Sequence, residues 1–141
     1  MLSSKQYSIL MIKWAKRLFP LCRSLTGSGT LETLNYFKNI HTDLKIKSFN
    51  SGKKVFDWEI PLQWEILDAY IEHIKTKKRF AEFKKSNLHI LGYSTPINKI
   101  ISKTILLKNI YTLKNQPDLI PYVTSYYKKD WGFCISENEF K

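Results

Sequence analysis

Apolar side chains recur every three or four residues over the first forty positions of the chain. Between residues 5 and 19 they alternate with lysines and arginine, which predicts an amphipathic helix. Pro20 ends this helix because its ring cannot continue the hydrogen-bond pattern. A second helix follows and reaches about Ile40, with Ser28 or Thr30 as its cap.

From residue 44 onward the apolar positions alternate every second residue, which is typical of strands. The predicted strands are residues 44–49, 54–61, 69–74, 79–83, 87–94 and 131–135. Residues 50–53 form a turn, and residues 75–78 join the third and fourth strands into a hairpin. Residues 103–114 fit a helix. The pattern therefore predicts an α+β chain.

The last residues carry a helix start signal. Residues 136–139, "SENE", have the Ser-x-x-Glu spacing of a capping box, but only two residues follow them. A helix start with so little chain behind it favours a fragment or a truncated gene product. The alternative is a polar tail that fits the spacing by chance.

The charge of the chain is strongly unbalanced. There are 23 Lys and Arg against 12 Asp and Glu, a formal net charge of +11 in 141 residues. Such an excess suggests nucleic acid, an acidic substrate or a membrane surface as a partner. Twenty of the basic residues are lysines, scattered along the chain. A genome rich in A and T would produce the same bias, so both causes stay open.

Length and cysteine usage indicate one modest domain from a reducing compartment. The hydrophobic content of 43% is enough to fill a core. Cys22 and Cys134 lie far apart and form no C-x-x-C pair, so both are predicted to be reduced thiols. The apolar run at residues 8–12 is too short to span a membrane, and no cleavage site follows it. We therefore expect a cytoplasmic protein without a membrane partner.

The stretch "RSLTGSGTLETL", residues 23–34, has the glycines of a phosphate-binding loop. A phosphate loop needs a lysine after its glycines, and a dinucleotide fingerprint needs a third glycine after a strand. Neither feature follows Gly27 and Gly29. The stretch is better explained as the entry to a helix, where glycine permits unusual backbone angles.

Three other patterns suggest chemistry, and each has a simpler explanation. His41 and Asp43 have the H-x-D spacing of a metal pair, but a site needs three or four converging ligands. Asp57 and Glu59 are expected on one face of a strand, where solvated carboxylates are commoner than an acid–base pair. Aromatic and basic residues interleave in residues 125–131, as in single-strand binders, although buried aromatics beside a charged turn give the same pattern.

Five motifs in a fixed order resemble a bacterial zinc aminopeptidase-like family associated with polysaccharide biosynthesis. They are "RSLTGSGTLETL", "VFDWEIPLQWEILDAYI", "NLHILGYSTPI", "IPYVTSYY" and "WGFCIS". The resemblance runs from about Leu18 to Phe140 and corresponds to the N-terminal part of the family. The residues that carry it are Arg23, Gly27, Gly29, Asp57, Trp58, Trp64, Gly92, Tyr93, Ser94, Tyr126, Trp131 and Gly132.

The resemblance implies a fragment of an α/β zinc-peptidase fold with an inserted β-rich lid. Residues 1–50 and 118–141 would belong to an incomplete core, and residues 51–117 to the lid. The family binds its zinc downstream of "WGFCIS", so no residue here inherits a catalytic or metal role. We expect no cofactor in this chain, no peptidase activity from it alone, and the rest of the fold as its partner. A peptide-like substrate would belong to the full-length family.

A different class of function stays open from the residues themselves. The lysine excess also suits a small basic binding module for nucleic acid or an anionic glycan. A fragment should expose apolar surface, whereas a binding module should have an affinity that falls steeply with salt. Of the two we favour the fragment, and we expect nucleic acid not to be a partner.

Overall fold

The computed structural model describes residues 3–126 and 128–141 and has both helices and strands. The prediction of an α+β chain is therefore confirmed. Tyr127, which belongs to the predicted nucleic-acid segment and to the motif "IPYVTSYY", lies outside the described residues. The chain forms two compact units, Met1–Glu65 (unit 1) and Ile66–Lys141 (unit 2).

Unit 1 begins with the two predicted helices. Helix α1 spans Ser4–Leu18 and helix α2 spans Ser28–Ile40, so both predictions are confirmed. Helix α1 starts with a capping box between Ser3 and Gln6 that the sequence analysis did not identify. The predicted cap of α2 is wrong, because Gly27 precedes the helix and no side chain caps it there.

Helices α1 and α2 contact each other through one aromatic pair and one ion pair. The rings of Trp14 and Phe37 meet edge to face with centroids 6.4 Å apart. The Arg17 guanidinium lies 2.8 Å from the Glu32 carboxylate, with both side chains about half exposed. Leu18, at the end of α1, is the buried apolar side chain among the described residues of unit 1.

A short hairpin completes unit 1, and it differs from the predicted strands. Strands β1, Lys54–Val55, and β2, Trp58–Glu59, pair antiparallel. The prediction of one continuous strand over 54–61 is wrong, since the chain reverses at Phe56, whose φ is 56°. The strand predicted at 44–49 is also wrong. Alternation alone does not form a strand when no neighbouring segment supplies the ladder.

Unit 2 contains the hairpin that the sequence predicts. Strand β3, Ile71–Glu72, pairs antiparallel with β4, Arg79–Phe80. The backbone nitrogen of His73 donates to the carbonyl of Lys78 at 2.9 Å and closes the turn. The hairpin is therefore confirmed, with strands shorter than the predicted runs.

The remaining elements of unit 2 are short, and two predictions there need correction. Helix α3 ends at Leu107 (Lys103–Leu107), because strand β5, Ile110–Tyr111, follows instead of further helix. The predicted strand over 87–94 begins as a 3-10 turn, Asn87–His89. Single bridges from Ile90 to Phe133 and from Gly92 to Thr124 replace the expected ladder.

The C-terminal segment agrees with the sequence. Strand β6, Phe133–Cys134, lies in the predicted apolar strand and pairs parallel with β5. The Ser136 hydroxyl then accepts from the backbone nitrogen of Glu139 at 3.1 Å and starts helix α4, Glu137–Phe140. The helix start predicted from "SENE" is confirmed.

The core of unit 2 forms where these distant segments meet. Its buried side chains include Ala81, His89, Ile90, Leu91, Phe133, Cys134 and Ile135. They come from the end of the hairpin, from the segment after the 3-10 turn, and from β6. The core therefore depends on contacts between parts of the chain that are far apart in sequence.

Candidate functional site

The glycine stretch at the start of α2 holds a carboxylate of the same chain. Gly27 has a φ of 100°, which favours glycine, and it turns the chain into the helix. The backbone nitrogen of Ser28 then donates to the Glu65 carboxylate at 2.8 Å. A helix N-terminus attracts anions, and here Glu65 takes that position. The expectation of a helix entry rather than a phosphate loop agrees with this arrangement.

Close packing explains the second glycine of this stretch. A Cβ on Gly29 would lie 2.8 Å from the carbonyl carbon of Cys22 and would overlap its oxygen. On the opposite side, a Cβ on Gly27 would lie 2.8 Å from the Trp64 carbonyl oxygen. The Trp64 nitrogen donates to the Thr26 hydroxyl at 3.1 Å. Gly27, Gly29 and Trp64 thus lie together around the start of α2.

The other motif residues of unit 1 lie apart from this group. Arg23 is exposed in the segment between α1 and α2. Asp57 is in the turn of the β1–β2 hairpin, and Trp58 is in β2 with 43% of its surface exposed. The expected shared strand face of Asp57 and Glu59 is wrong, because Asp57 precedes the strand.

The H-x-D pair lies at the end of α2. His41 is the residue that follows the helix, and both His41 and Asp43 are exposed. Within residues 3–126 and 128–141, no group of three or more His, Cys, Asp or Glu side chains is arranged to hold a metal ion. His41 and Asp43 therefore lack the further ligands that a zinc site needs.

In unit 2, the motif "LGYS", residues 91–94, contacts two later segments of the chain, residues 123–125 and Gly132. The Gly92 nitrogen donates to the Val123 carbonyl at 2.8 Å, and the Ser125 nitrogen donates to the Gly92 carbonyl at 2.8 Å. A Cβ on Gly92 would lie 3.2 Å from the Thr124 side chain, so the approach requires a small residue. The Ser94 nitrogen donates to the Leu91 carbonyl at 2.9 Å and closes a turn around Tyr93.

Tyr93 is the residue that turns this segment. Its φ is 61°, an uncommon value for a bulky side chain. Its ring meets that of Tyr126 edge to face, with centroids 4.9 Å apart. The structure therefore brings the Gly92–Ser94 motif against the motif that contains Tyr126.

Gly132 lies at the crossing of three segments. Its carbonyl accepts from the Leu91 nitrogen at 3.1 Å. A Cβ there would lie 2.7 Å from the Tyr111 ring and 3.0 Å from the Asn109 carbonyl oxygen. Only glycine allows β5 and the Leu91 segment to approach the chain so closely at this point.

His89 is a buried hydrogen-bond donor. Its Nδ1 lies 2.8 Å from the Cys134 carbonyl oxygen, and 5% of the residue is exposed. Because a carbonyl oxygen only accepts, Nδ1 carries the hydrogen and donates. The histidine thus links the 3-10 turn to β6 by a hydrogen bond inside the core.

The two thiols are both less acidic than usual. Burial raises the pKa of Cys134 to about 11, and partial burial raises the pKa of Cys22. A thiolate is the reactive form of cysteine, so neither side chain is activated as a nucleophile. Both are free, and Cys134 is fully buried, which agrees with the prediction of reduced thiols.

The candidate functional site is a cleft in unit 2 with a volume of about 840 Å³. This size is in the usual range for ligand pockets, roughly 300–1,000 Å³. Its lining is Asp68, Ala69, Tyr70, Ile71, Glu72, Ile74, Lys77, Ile97, Asn98, Lys99, Ile100, Ile101, Leu106, Trp131 and Phe133. Of the residues that carried the resemblance, Trp131 lines this cleft.

The two carboxylates of the cleft are ion-paired. Lys84 lies 3.0 Å from Asp68, and its hydrogen bond lowers the pKa of that carboxyl below its usual value. Arg79 and then Lys77 lower the pKa of Glu72, from 3.2 Å and 3.4 Å. Both acids therefore stay ionised at neutral pH and do not serve as general acids.

An aromatic contact holds the cation of this network in place. The Arg79 guanidinium lies 3.9 Å from the centroid of the Tyr70 ring, a cation–π arrangement. The same guanidinium contacts Glu72, so Tyr70, Glu72 and Arg79 form one cluster at the hairpin. Within this cluster the charge of Glu72 is paired with that of Arg79.

The sequence analysis did not single out this cleft. Its signal is the run "INKII", residues 97–101, which is rich in isoleucine, follows Pro96 and has no clear helix or strand period. Ile100 is 83% exposed and Ile74 is 55% exposed. Exposed large apolar side chains around a concavity indicate a binding surface, and sequence alone does not show which apolar residues are exposed.

Among the described residues, none of the helices combines the length and apolar character needed to cross a bilayer.

Comparison with known proteins identifies the family of the chain. A family model described as "Domain of unknown function (DUF2172)" matches residues 63–141. The chain belongs to the DUF2172 family. The matched region includes all of unit 2, and hence the cleft and the core described above.

A relative and a solved structure, both from Clostridium acetobutylicum, are similar to this DUF2172 chain. The relative is provisionally named a polysaccharide biosynthesis protein with an aminopeptidase-like domain and is 42% identical over 125 residues. The crystal structure, of a protein provisionally named a peptidase, is 40% identical and has a TM-score of 0.85. The match covers 89% of this chain and 28% of the relative, and 91% of this chain and 30% of the crystallised chain.

These similarities confirm the resemblance to an aminopeptidase-like family associated with polysaccharide biosynthesis. The chain spans less than a third of the length of the relatives that it matches.

Proposed function

We propose that this chain is the N-terminal segment of a zinc aminopeptidase-like protein from a polysaccharide-biosynthesis context. The observation that carries the proposal is its 40% identity and TM-score of 0.85 to part of a crystallised protein provisionally named a peptidase. In this proposal the chain contributes scaffold and lid, and the metal chemistry belongs to the rest of the protein. The division into core, 1–50 and 118–141, and lid, 51–117, is part of the same proposal.

Exposed apolar side chains on unit 1 support the proposal that another part of the protein packs against it. On helix α1, Ile9, Met11 and Ile12 are 57–64% exposed. Three large apolar side chains on one short helix are costly to leave in water, at about 25 cal/mol per Å² of apolar surface. We propose that the remaining part of the same protein covers them.

The first experiment measures activity and metal content of the chain alone. We expect no release of p-nitroaniline from leucine or alanine p-nitroanilide, with or without added zinc, because the residues that the structure describes include no set that fits zinc. Zinc bound one-to-one at micromolar affinity and lost in His41→Ala would contradict the proposal. So would turnover that a chelator abolishes.

The second experiment measures association. We expect the chain to bind the part of the Clostridium acetobutylicum relative that has no counterpart in it, giving a one-to-one complex in light scattering. Ile12→Lys should weaken the complex, since it places a charge on the exposed face of α1. Lys13→Ala, a neighbouring exposed change, is the matched control and should leave it intact. Failure of the two polypeptides to associate would count against a shared fold.

The basic-module alternative, with nucleic acid or an anionic glycan as ligand, stays a prediction. The charges of the chain are spread over both units. Unit 1 has ten basic and five acidic residues, and unit 2 has thirteen basic and seven acidic residues. An affinity for single-stranded nucleic acid that falls steeply between 50 mM and 200 mM salt would favour this alternative.

A further inference from the structure

Two runs of consecutive residues form most of the lining of the cleft. One run is residues 68–72, which includes β3, and the other is residues 97–101. Successive side chains of an extended chain point to opposite sides. When every residue of such a run lines a cleft, the cleft must lie along the edge of the chain, where the backbone itself is accessible.

Strand β3 presents a free edge to this cleft. The His73 nitrogen donates to the Lys78 carbonyl at 2.9 Å, and these two residues face each other in the register that pairs Ile71 with Phe80. In an antiparallel pair the residues between these positions direct their N–H and C=O groups to the other edge. Tyr70 and Glu72 occupy those positions in the register of β3 with β4.

The second run also has free backbone groups. Residues 97–101 lie outside every helix and strand. Within the described part of the chain, their backbone N–H and C=O groups make no hydrogen bond. Ser102 then caps α3 by accepting from Ile105, so the free run ends at a defined point.

We propose that the cleft binds an extended peptide strand of another polypeptide, which pairs with the free edge of β3 and contacts the 97–101 backbone. An extended strand is the ligand that can satisfy hydrogen-bonding groups along such an edge. Five extended residues span roughly 17 Å, which sets the length of the bound segment.

The side chains of the cleft define the chemistry of the occupant. Ile71, Ile97 and Ile100 provide an apolar lining, together with Phe133 and Trp131. Both acidic lining residues, Asp68 and Glu72, are already ion-paired to basic side chains of the same chain. The preferred segment is therefore uncharged, with apolar side chains at alternate positions. This inference goes beyond the proposed function and does not rest on it.

The test uses a synthetic probe, the acetylated and amidated hexapeptide Val-Thr-Val-Thr-Val-Thr, with amide NMR of the whole chain. We expect saturable shifts and slower exchange at Tyr70, Glu72 and residues 97–101. Exchange should slow about tenfold when the peptide is at about ten times its Kd, because only the free fraction exchanges.

Two controls separate strand pairing from simple apolar contact. A peptide with the same side chains and every backbone nitrogen methylated has no donor on either edge, so it should bind at least about tenfold more weakly. Ile100→Asp should weaken binding of the unmodified peptide by a similar factor, since it places a charge against an apolar strand. Leu119→Asp, at a residue that is 53% exposed and does not line the cleft, should leave binding unchanged.

The proposal is overturned if the unmodified peptide fails to bind at about 1 mM, where even weak complexes form. It is also overturned if the methylated peptide binds equally well, or if Ile100→Asp and Leu119→Asp weaken binding alike. Because Ile100 is largely exposed, its replacement should leave the fold intact. An unchanged amide spectrum outside the cleft verifies this.

Discussion

The carboxylate of Glu65 lies 2.8 Å from the backbone nitrogen of Ser28 and satisfies one of the free donors at the start of α2. The same oxygen accepts from the Gln63 side chain at 2.6 Å. Residues 63–65 and the start of α2 thus hold each other in place, although 37 positions separate Ser28 from Glu65. An internal carboxylate, rather than a bound phosphate, is what the glycine stretch accommodates.

Removing this carboxylate should destabilise the chain. Glu65→Ala is expected to lower the free energy of unfolding by about 1 kcal/mol, the usual cost of losing a helix cap. Glu65→Gln keeps an acceptor but loses the charge, so it should cost less, about 0.5 kcal/mol. Urea unfolding followed by circular dichroism measures both. Asp43→Ala, an exposed change beyond the helix, is the control, and equal losses in all three variants would contradict the assignment.

A side chain at Gly29 should be far more damaging than one at its neighbour. Its Cβ would overlap the Cys22 backbone, which cannot yield as a flexible side chain can. Gly29→Ala should therefore cost about 3 kcal/mol or more. Ser28→Ala, at an exposed position in the same turn, should change stability by less than about 0.5 kcal/mol. Similar melting temperatures for the two variants would contradict the close contact between Gly29 and the Cys22 backbone.

The buried histidine offers a test of the unit 2 core. His89→Ala should lower stability by about 1–3 kcal/mol, because it leaves the buried Cys134 carbonyl without its donor. His89→Asn places an amide donor near the Nδ1 position and should recover part of the loss. His41→Ala, at an exposed residue, is the control for losing an imidazole. If His89→Asn and His89→Ala have the same free energy of unfolding, the loss of stability comes from the shape of the side chain and not from its hydrogen bond.

Alkaline pH should weaken the core through Cys134. Below about pH 9 its thiol is protonated in both the folded and unfolded chain, so this group causes no pH dependence. Between pH 9 and about 11 the unfolded thiol ionises while the buried one stays protonated. The free energy of unfolding should therefore fall, by roughly 2 kcal/mol at pH 11. The difference between the wild type and Cys134→Ala in urea titrations from pH 8 to pH 11 isolates this contribution, and parallel curves would contradict it.

Local patterns predicted the helices and the β3–β4 hairpin because those elements are stabilised by neighbours in sequence. Helices α1 and α2 follow their apolar spacing, and the turn at Lys77 joins two strands of matching alternation. The strand predicted at 44–49 failed because alternation says nothing about whether a partner strand exists. The single strand predicted over 54–61 failed because Phe56 turns the chain without glycine or proline.

The candidate site could not be predicted from the sequence, because it also depends on contacts between distant segments. The cleft is formed by residues 68–72 and 97–101, and its accessibility depends on a strand edge that remains free. Neither the exposure of Ile100 nor the free backbone beside it can be predicted from amino-acid composition or from the period of the apolar residues. The family motifs correctly indicated similarity to an aminopeptidase-like protein. Of their residues, Trp131 is the one that lines the cleft.

The parallel pairing of β5 with β6 has a consequence for how unit 2 folds. Ile110 pairs with Phe133, while Ile90 pairs with the same residue from the other side, so β6 lies between segments made much earlier. Such non-local contacts slow folding, because a long loop must close before they form. During synthesis Ile90 and Ile110 leave the ribosome before Phe133, so the surface that β6 covers stays open until residues 132–135 arrive. The interval before β6 arrives therefore leaves apolar surface of the nascent chain open to aggregation.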